Sequence, residues 1–323
     1  MPNDIGFTIR PLNVGAEIVG LNVKAPIASG SRDALYQAWL KYGVLLFRET
    51  GATNAEHLAL SRCFGELELH PVPEIRLKEE PLLIEIGGSR RGQAFVFDGT
   101  ELRAGRLPWH RDTAYTPECC KGAILHMVEA AAEDGETMVA DTALAYDALS
   151  DEMKRRIAHL EYKATLRLGP IDQTRPGAFW RTVRPATPEE DPAAKPANVS
   201  KDAIARYPSV VLPAVITHPE SGRKCVFLSP TYVDEFLDMS AEESDALLAE
   251  LTEHITRPEF CYVHRWKAGD MLLWDNRRFM HAARGFPLNC TRRGLRTTLA
   301  GSLKVGRYFD PEPDLSKAAP IAD

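Results

Sequence analysis

The sequence predicts a mainly β protein with a few flanking helices, arranged as a sandwich or a barrel. Short apolar runs of strand length recur along the 323 residues, and turn residues separate several of them. Strands and long helices do not alternate regularly, and no G-x-G-x-x-G or Walker motif is present. These observations favour a sandwich or barrel over a doubly wound parallel sheet.

Three segments carry the signals of helix ends. Residues 31–43 begin with Ser, place apolar residues at helical spacing and stop at Gly. Thr53 and Glu56 have the spacing of a capping box, and Ser240 and Glu243 repeat it before a long apolar-periodic run. We therefore expect a helix at each of these three places.

Nine apolar segments are predicted strands because they have strand length and are flanked by turn residues. Turns are expected at Asp98-Gly99, at Glu220-Ser221-Gly222 and at Ala268-Gly269-Asp270. In chain order the segments are VLLF, PLLIEI, AFVFDG, AILHMVEA, TMVAD, YPSVVLPAVITHP, KCVFLS, FCYVHRW and DMLLWDN.

The chain is expected to form one domain over residues 1–323, with an insertion around residues 169–208. That segment is rich in Pro, Arg and charged residues and poor in apolar positions. A long connection of this kind is either a lid over a functional site or a solvated insertion, and the sequence leaves both possibilities open.

Composition excludes several classes of protein. A net charge of -6 argues against a nucleic-acid partner, which requires clustered basic residues. No apolar run approaches the roughly 20 residues of a membrane span, and no secretory signal precedes the first strand, so we expect a cytoplasmic protein. The six cysteines form no C-x-x-C pair and are expected to be reduced thiols.

Two stretches carry candidate metal ligands. LPWHRDT places His110 and Asp112 two residues apart, on the same face of an extended strand. Further on, an apolar strand ends at Trp274-Asp275-Asn276, and His281 follows on a loop or on the next strand. Two His and one carboxylate are the ligand set of the facial triad in non-heme Fe(II) enzymes. The alternatives are a surface His-Asp pair and a structural core His.

The sequence resembles the TauD/TfdA type of Fe(II)/2-oxoglutarate dioxygenases. The shared features are the order H-x-D, W-D-N-R-x-x-x-H and R-x-x-x-R, and the blocks FGELELHPV, GAILHMVEAAAEDGETMVAD, AYDALS and THPESGRKCVF. The resemblance is weakest between Leu168 and Tyr207. It implies a double-stranded β-helix (jelly roll, cupin-like), Fe(II) as the metal, and 2-oxoglutarate and O2 as cosubstrates.

The resemblance also implies roles for individual residues. His110, Asp112 and His281 would be the iron ligands of the catalytic site. Arg292, eleven residues beyond His281, and Thr137, 27 residues beyond His110, would bind the remote carboxylate of 2-oxoglutarate. A guanidinium suits this task because its two parallel charge-assisted hydrogen bonds fix a carboxylate in orientation.

The same resemblance places Arg296 and His70 against an anionic group of the substrate. We expect hydroxylation of a small acid (a carboxylate, sulfonate or sulfate ester), coupled to conversion of 2-oxoglutarate to succinate and CO2. Tyr115 stands where the taurine enzyme has Phe, and the central insertion differs, so taurine itself is not expected. Relatives commonly form dimers or tetramers, which implies a homo-oligomer.

Several alternatives remain open on the sequence alone. The same cofactors could support desaturation or oxidative decarboxylation, and the fold could belong to a cupin-like binding protein or a zinc hydrolase. Arg293 could replace Arg292 if the motifs are displaced by one residue. The remaining histidines considered as ligands are expected to be structural: His126, His159, His218 and His264.

Overall fold

Two β-sheets face each other across a shared apolar core in this computed structural model, which describes residues 5–87, 94–97, 101–166, 183–192 and 207–313. Residues from both sheets meet in one cluster, to which one sheet contributes Val44, Leu125 and Trp274 and the other contributes Val139 and Phe279. The space between the sheets is therefore the interior of a β-sandwich.

The strands of the described residues are short, as the sequence predicts. In chain order they are β1 (Thr8–Pro11), β2 (Ala16–Val19), β3 (Val44–Phe47), β4 (Leu67–Glu68), β5 (Ile84–Gly87), β6 (Phe95–Phe97), β7 (Glu101–Arg103), β8 (Leu107–His110), β9 (Gly122–Glu129), β10 (Thr137–Asp141), β11 (Glu161–Ala164), β12 (Val183–Pro185), β13 (Val210–Pro213), β14 (Val215–Thr217), β15 (Lys224–Val226), β16 (Val233–Phe236), β17 (Cys261–His264), β18 (Met271–Asp275), β19 (Phe279–Ala283), β20 (Arg293–Leu299) and β21 (Arg307–Tyr308). Each of the nine predicted strand segments overlaps at least one of these strands.

The larger of the two sheets, called here the major sheet, has the order β1-β2-β3-β18-β9-β20-β4, and β5 also pairs with β20. Its strands are antiparallel except for β2 and β3, which are parallel. The minor sheet has the order β17-β10-β19-β8 and is antiparallel throughout. Two stacked, mainly antiparallel sheets with helices outside them confirm the predicted double-stranded β-helix, or jelly roll.

Strand β3 shows why VLLF is apolar at every position. Val44 and Leu46 point into the cluster between the sheets. Leu45 and Phe47 point to the opposite face, where they pack with Trp39 in a second cluster. Since successive side chains of a strand alternate between faces, a strand covered on both sides is apolar throughout.

The helices cover the outer faces of the two sheets. They are α1 (Ser29–Tyr42), α2 (Asn54–Ser61), α3 (Thr142–Asp147), α4 (Asp151–Ile157) and α5 (Ala241–Ile255), with 3-10 turns at Pro73–Ile75 and Pro258–Phe260. Both predicted capping boxes are present, at the starts of α2 and α5. Gly43 ends α1 in the left-handed conformation (φ 72°), and its N–H donates to the Trp39 carbonyl, as the sequence predicts.

The start of α1 differs from the prediction. The helix begins at Ser29, and its N-cap position is Ala28, which makes no side-chain capping hydrogen bond. Ser31 lies inside the first turn, where its hydroxyl donates to the Ile5 carbonyl at 2.9 Å. Ser31 therefore ties the N-terminal segment to the helix instead of capping it.

A further layer covers the outer face of the minor sheet. It consists of the sheet β16-β11-β13-β21, the hairpin β14-β15 and helices α3 and α5. A separate three-stranded sheet, β12-β6-β7, contains part of the predicted insertion, since β12 pairs with β6. Most of that insertion (169–182, 193–206) and the Asp98-Gly99 turn lie outside the described residues. None of the described helices has both the length and the apolar character needed to cross a membrane.

Candidate functional site

One cavity of about 320 Å³ lies between the major and minor sheets. Its walls include apolar side chains of the major sheet, among them Ile84, Ile86 and Leu125. Every site residue named from the sequence lines this cavity: His70, His110, Asp112, Thr137, His281, Arg292 and Arg296. Residues separated by up to 226 positions are thus brought to one place.

Three of these side chains form a compact ligand cluster. One potential ligand atom from each of His110, Asp112 and His281 lies within 4.8 Å of the others, and all three residues are buried. His281 Nε2 is 3.5 Å from Asp112 Oδ2, and His110 Nε2 is 3.8 Å from Asp112 Oδ1. The donor atoms of two imidazoles and one carboxylate therefore converge on a space that a single ion could occupy.

The minor sheet positions this cluster. His110 is the last residue of β8 and lies directly opposite His281 on β19. Asp112 lies in the turn that follows, so the expectation that it shares an extended strand with His110 is wrong. Within that turn Thr113 adopts the left-handed conformation, with a φ of 55°. The turn returns the carboxylate to the side of the sheet on which both imidazoles lie.

Hydrogen bonding fixes the orientation of the first imidazole. His110 Nδ1 lies 2.7 Å from the Pro108 carbonyl, which can only accept, so Nδ1 carries the proton and Nε2 offers a lone pair. The His281 ring packs 4.7 Å from the Trp274 ring. Burial lowers the pKa of both histidines, most strongly that of His281. Both rings are therefore neutral, as metal ligation requires.

Asp112 is held as a carboxylate. Burial opposes its ionisation, but the Arg296 guanidinium outweighs that effect and holds its pKa well below the usual range. Arg296 donates to Oδ1. Within the described chain, buried Oδ2 has no hydrogen-bond partner. An unpaired carboxylate oxygen between two neutral imidazoles fits a divalent cation.

Arg111 braces the H-x-D segment from behind. Its side chain is fully buried on the side away from the ligands, and burial lowers its pKa. In the part of the chain that the structure describes it pairs with no carboxylate. Instead it donates to five neutral oxygens, those of Thr142 Oγ1 and of the Val226, Leu228, Asn276 and Phe279 carbonyls.

Asn276 fixes the backbone of Asp112 in the same way that a neighbouring strand would. Its Oδ1 accepts from the Asp112 N–H, and its Nδ2 donates to the Asp112 carbonyl, both at 2.9 Å. Nδ2 also lies 3.2 Å from the Cys120 carbonyl. Asn276 and Arg111 together place the carboxylate without any contribution from a metal ion.

Arg292 is a buried cation with no acidic partner among the described residues. Its side chain is 3% exposed, and burial lowers its pKa to about 10. Nε donates to the Gly135 carbonyl at 3.1 Å, which aims the rest of the guanidinium into the cavity. Gly135 has a φ of +75°, and a Cβ there would lie 3.2 Å from Arg292 Cδ. An unpaired buried guanidinium is a site for an anion.

Arg292 and its neighbour Arg293 have different environments in the structure. Arg293 is partly exposed, and its Nε donates to Glu85 at 2.8 Å. The Arg292 side chain alone of this pair lines the cavity. The geometry therefore favours Arg292 over Arg293 as the anion-binding residue.

Thr137 begins β10 at the same end of the cavity. Its Oγ1 accepts a hydrogen bond from Trp266 Nε1 at 3.0 Å. Because Trp266 occupies an acceptor position, the Thr137 hydroxyl proton remains free to donate to an anion. Trp266 was not anticipated from the sequence, since nothing in the local pattern indicates which hydroxyl it contacts.

Arg296 and His70 also line the cavity. Arg296 lies on β20, is 4% exposed and has an unpaired Nε within the described residues. His70 Nδ1 accepts from the Val72 N–H at 3.1 Å. Burial and Arg296 lower the pKa of His70 to about 3, so the ring is neutral with its proton on Nε2. Both residues can donate to an anion.

An aromatic wall of Tyr115, Tyr207 and Tyr232 extends from the ligand cluster. The ring centroids of Tyr115 and Tyr232 are 5.1 Å apart, and those of Tyr115 and Tyr207 are 5.5 Å apart. The Tyr232 ring also packs against the His110 ring, with 6.4 Å between their centroids. Of these three only Tyr115 was singled out from the sequence, because it stands where the taurine enzyme has Phe; the other two are remote in the chain.

The other histidines have partners outside this cavity. His218 bonds Asp275 at 2.8 Å, His264 lies 3.2 Å from Asp270, and His126 packs against the His57 ring. His159 follows the end of α4. None of them approaches the ligand cluster.

Glu68 places a second acidic group near Arg296. It lies on β4, and burial raises its pKa to about 7. When a carboxyl has a higher pKa in the folded chain than in the unfolded chain, its ionisation destabilises the folded protein. The free energy of unfolding then falls as the pH rises from the unfolded-state pKa through the folded-state pKa. Glu68→Gln is therefore expected to match the native protein below about pH 4.5 and to be more stable above pH 7, by about 2–3 kcal/mol.

Urea unfolding between pH 4.5 and pH 8.5 measures this difference. Glu66→Gln, two residues away and exposed, is the matched control and should show no such divergence. If the Glu68→Gln and native curves run parallel across this range, Glu68 is ionised at its ordinary pKa.

The fold and the ligand cluster define a mononuclear metal enzyme of the two-His, one-carboxylate class, with an anion-binding cavity beside the metal site. The comparisons with known proteins agree. The family model described as "Taurine catabolism dioxygenase TauD, TfdA family" matches residues 8–298. The chain belongs to this family.

Two curated relatives illustrate the similarity. The (S)-phenoxypropionate/alpha-ketoglutarate-dioxygenase of Sphingobium herbicidovorans is 28% identical over 297 residues, which cover 91% of this chain and 95% of that protein. The alpha-ketoglutarate-dependent sulfate ester dioxygenase of Pseudomonas putida is 28% identical, with 94% and 93% covered.

Solved structures share the fold over almost the whole chain. AAD-2 in complex with Mn(II) and N-oxalylglycine is 28% identical, with a TM-score of 0.69 and coverage of 93% of this chain and 99% of that one. A taurine dioxygenase from Burkholderia xenovorans is 25% identical, with a TM-score of 0.71 and coverage of 97% and 98%.

These findings confirm the predicted enzyme class. The chain is a 2-oxoglutarate-dependent dioxygenase, with Fe(II) as its metal and 2-oxoglutarate and O2 as cosubstrates. The alternatives of a cupin-like binding protein and a zinc hydrolase are set aside, because neither accounts for this family membership.

Proposed function

We propose that His110, Asp112 and His281 bind the Fe(II), that Arg292 and Thr137 bind the remote carboxylate of 2-oxoglutarate, and that Arg296 and His70 bind a small acid that is hydroxylated. The observation that carries this proposal is the arrangement of the cavity. The three-ligand cluster and an unpaired buried guanidinium, that of Arg292, open onto the same space.

The residues of the chain perform the orienting part of the reaction. Fe(II), when bound, supplies the activation of O2, coupled to conversion of 2-oxoglutarate to succinate and CO2 and to oxidation of a substrate C–H bond. Arg292 and Thr137 fix one cosubstrate, while Arg296 and His70 orient the acid. The apolar wall of Ile84 and Leu125 keeps bulk water from the reacting atoms.

Metal binding is expected to change the hydrogen-bond partner of Arg296. In the described structure it donates to Asp112 Oδ1, a carboxylate that would ligate the metal. With a divalent ion held by Asp112, the Arg296 guanidinium would be available to the acid of the substrate. His70 lies beside it as a neutral donor, which adds hydrogen bonding without adding charge.

The relatives support an acidic substrate. Their names give phenoxypropionate, 2,4-dichlorophenoxyacetate and sulfate esters. Where the hydroxylated carbon of such an acid carries an oxygen, the product collapses to a carbonyl and releases the group on that oxygen as an alcohol, phenol or sulfate. Desaturation or oxidative decarboxylation by the same site is the alternative outcome, and product analysis distinguishes it.

Anaerobic titration of the Fe(II)-loaded protein with 2-oxoglutarate tests the cofactor assignments. We expect the weak visible charge-transfer band of a chelated 2-oxo acid, and we expect small acids that bind at Arg296 to shift it. Phenoxyalkanoates, alkyl sulfates, sulfonates and amino-acid derivatives form the panel. A folded, iron-loaded protein without this band would contradict the proposal.

We propose in addition that residues 1–323 act as a single domain in the cytoplasm and associate as a dimer or tetramer. Light scattering coupled to gel filtration gives the subunit count. A monomer at micromolar concentration would contradict this last expectation.

A further inference from the structure

The hydroxyl of Tyr115 has no hydrogen-bond partner in the described structure although its residue is buried. Tyr115 is 4% exposed and lines the cavity, yet no described residue accepts from or donates to its oxygen. Because Tyr115 lines the cavity, its hydroxyl faces space that a ligand or water can occupy. Such groups in native proteins usually serve a ligand or a bound water.

The surroundings hold this phenol in place. Its ring is clamped edge-on between those of Tyr207 and Tyr232. The Tyr207 hydroxyl donates to the Pro71 carbonyl at 3.0 Å, which anchors that ring. Tyr115 lines the same cavity as Asp112 and Arg296, so its phenol shares that space with the proposed metal ligand and the proposed acid-binding residue.

The position in the chain explains this placement. Tyr115 follows Asp112 by three residues, directly after the turn whose left-handed residue is Thr113. The Thr113 hydroxyl accepts from the Cys120 N–H at 2.9 Å and its carbonyl accepts from the Thr116 hydroxyl at 2.8 Å. The same hydrogen-bonded turn therefore positions both the carboxylate and the phenol.

We propose that Tyr115 is a specificity-determining residue whose hydroxyl donates to an ether or ester oxygen of the substrate, adjacent to the carbon that is hydroxylated. The proposal rests on the proposed function, because it assumes that the acid of the substrate is bound at Arg296. An oxygen-linked acid would meet a donor there, whereas its carbon isostere would leave the phenol unpaired. Sites built to hydrogen-bond a substrate reject analogues that lack the partner atom.

Matched pairs of acids test this. Phenoxyacetate and 3-phenylpropanoate differ by one oxygen in place of one methylene, and hexyl sulfate and 1-heptanesulfonate differ in the same way. Dissociation constants are measured anaerobically from the shift of the charge-transfer band in the Fe(II) and 2-oxoglutarate complex, so that differences in C–H reactivity do not enter. The first pair tests aryl ethers and the second tests sulfate esters.

In at least one pair the native enzyme is expected to bind the oxygen-linked acid about tenfold more tightly than its isostere. In Tyr115→Phe that preference should fall to within about twofold, while the thermal stability is unchanged because the hydroxyl makes no hydrogen bond within the described residues. Tyr162→Phe is the matched control, since this buried tyrosine packs in the cluster outside the minor sheet and does not line the cavity, and it should keep the native preference.

Three results would overturn the inference. These are equal binding within both pairs by the native enzyme, an unchanged preference in Tyr115→Phe, and loss of the preference in Tyr232→Phe alone. If no acid shifts the band, the inference also fails, and formation of succinate from 2-oxoglutarate and O2 without substrate then shows whether the proposed function still holds.

Discussion

Asp112→Ala is expected to abolish oxidative turnover, with succinate formation reduced at least 1000-fold, while the protein remains folded. Asp112 supplies the only carboxylate of the three-ligand cluster, and loss of one of three protein ligands removes more metal affinity than the 10–100-fold lost when an outer partner is changed. The variant also leaves Arg296 buried without its partner, so the free energy of unfolding should fall by about 3 kcal/mol.

The measurement combines succinate assays at saturating Fe(II), metal titration and circular dichroism. Asp112→Asn is the matched control, because the amide preserves shape and one oxygen ligand while removing the charge. It should retain more iron affinity than the Ala variant. A folded and active Asp112→Ala enzyme would refute the assignment of the metal site.

Arg292→Ala is expected to weaken 2-oxoglutarate binding about 100-fold or more with a smaller effect on turnover at saturation. The guanidinium is buried and carries no carboxylate partner in the described residues, so a bound carboxylate would supply its counter-charge. Truncating one partner of a buried charge pair typically costs 2–5 kcal/mol. The 2-oxoglutarate affinity of Arg292→Lys should lie between those of the native protein and Arg292→Ala, since an ammonium keeps the charge but cannot bind in a bidentate manner.

Anaerobic titration of the charge-transfer band gives the dissociation constant for 2-oxoglutarate in each variant. Arg293→Ala is the matched control, because this neighbouring side chain is partly exposed and bonded to Glu85. An unchanged 2-oxoglutarate affinity in Arg292→Ala, with a loss in Arg293→Ala, would move the anion-binding role by one residue.

The fold and the candidate ligands could be predicted from the sequence because both depend on local patterns. Capping boxes at Thr53 and Ser240 are signals of a few residues, and the structure contains both. Ser31 shows the limit of such signals, since a tertiary hydrogen bond to Ile5 replaced the local one. His110, Asp112 and His281 were found by spacing together with a family resemblance, and the structure brings them together.

The residues that support the site could not be found in this way. Arg111 looks like a solvent-facing residue of the H-x-D motif, and only the folded chain shows the five oxygens around it. Trp266 and Tyr207 contact the site across long sequence separations. Such contacts depend on how the sheets stack, which the local sequence pattern does not specify.

The two guanidinium groups of the cavity oppose the charge of the rest of the protein. The chain carries a net charge of -6, whereas the described cavity lining has the Arg292 and Arg296 cations against the single carboxylate of Asp112. At physiological salt, charges act over about 8 Å. On the proposed function, an anion would therefore feel the attraction of Arg292 and Arg296 only near the mouth of the cavity. Capture would then depend on these two local charges, with little long-range steering.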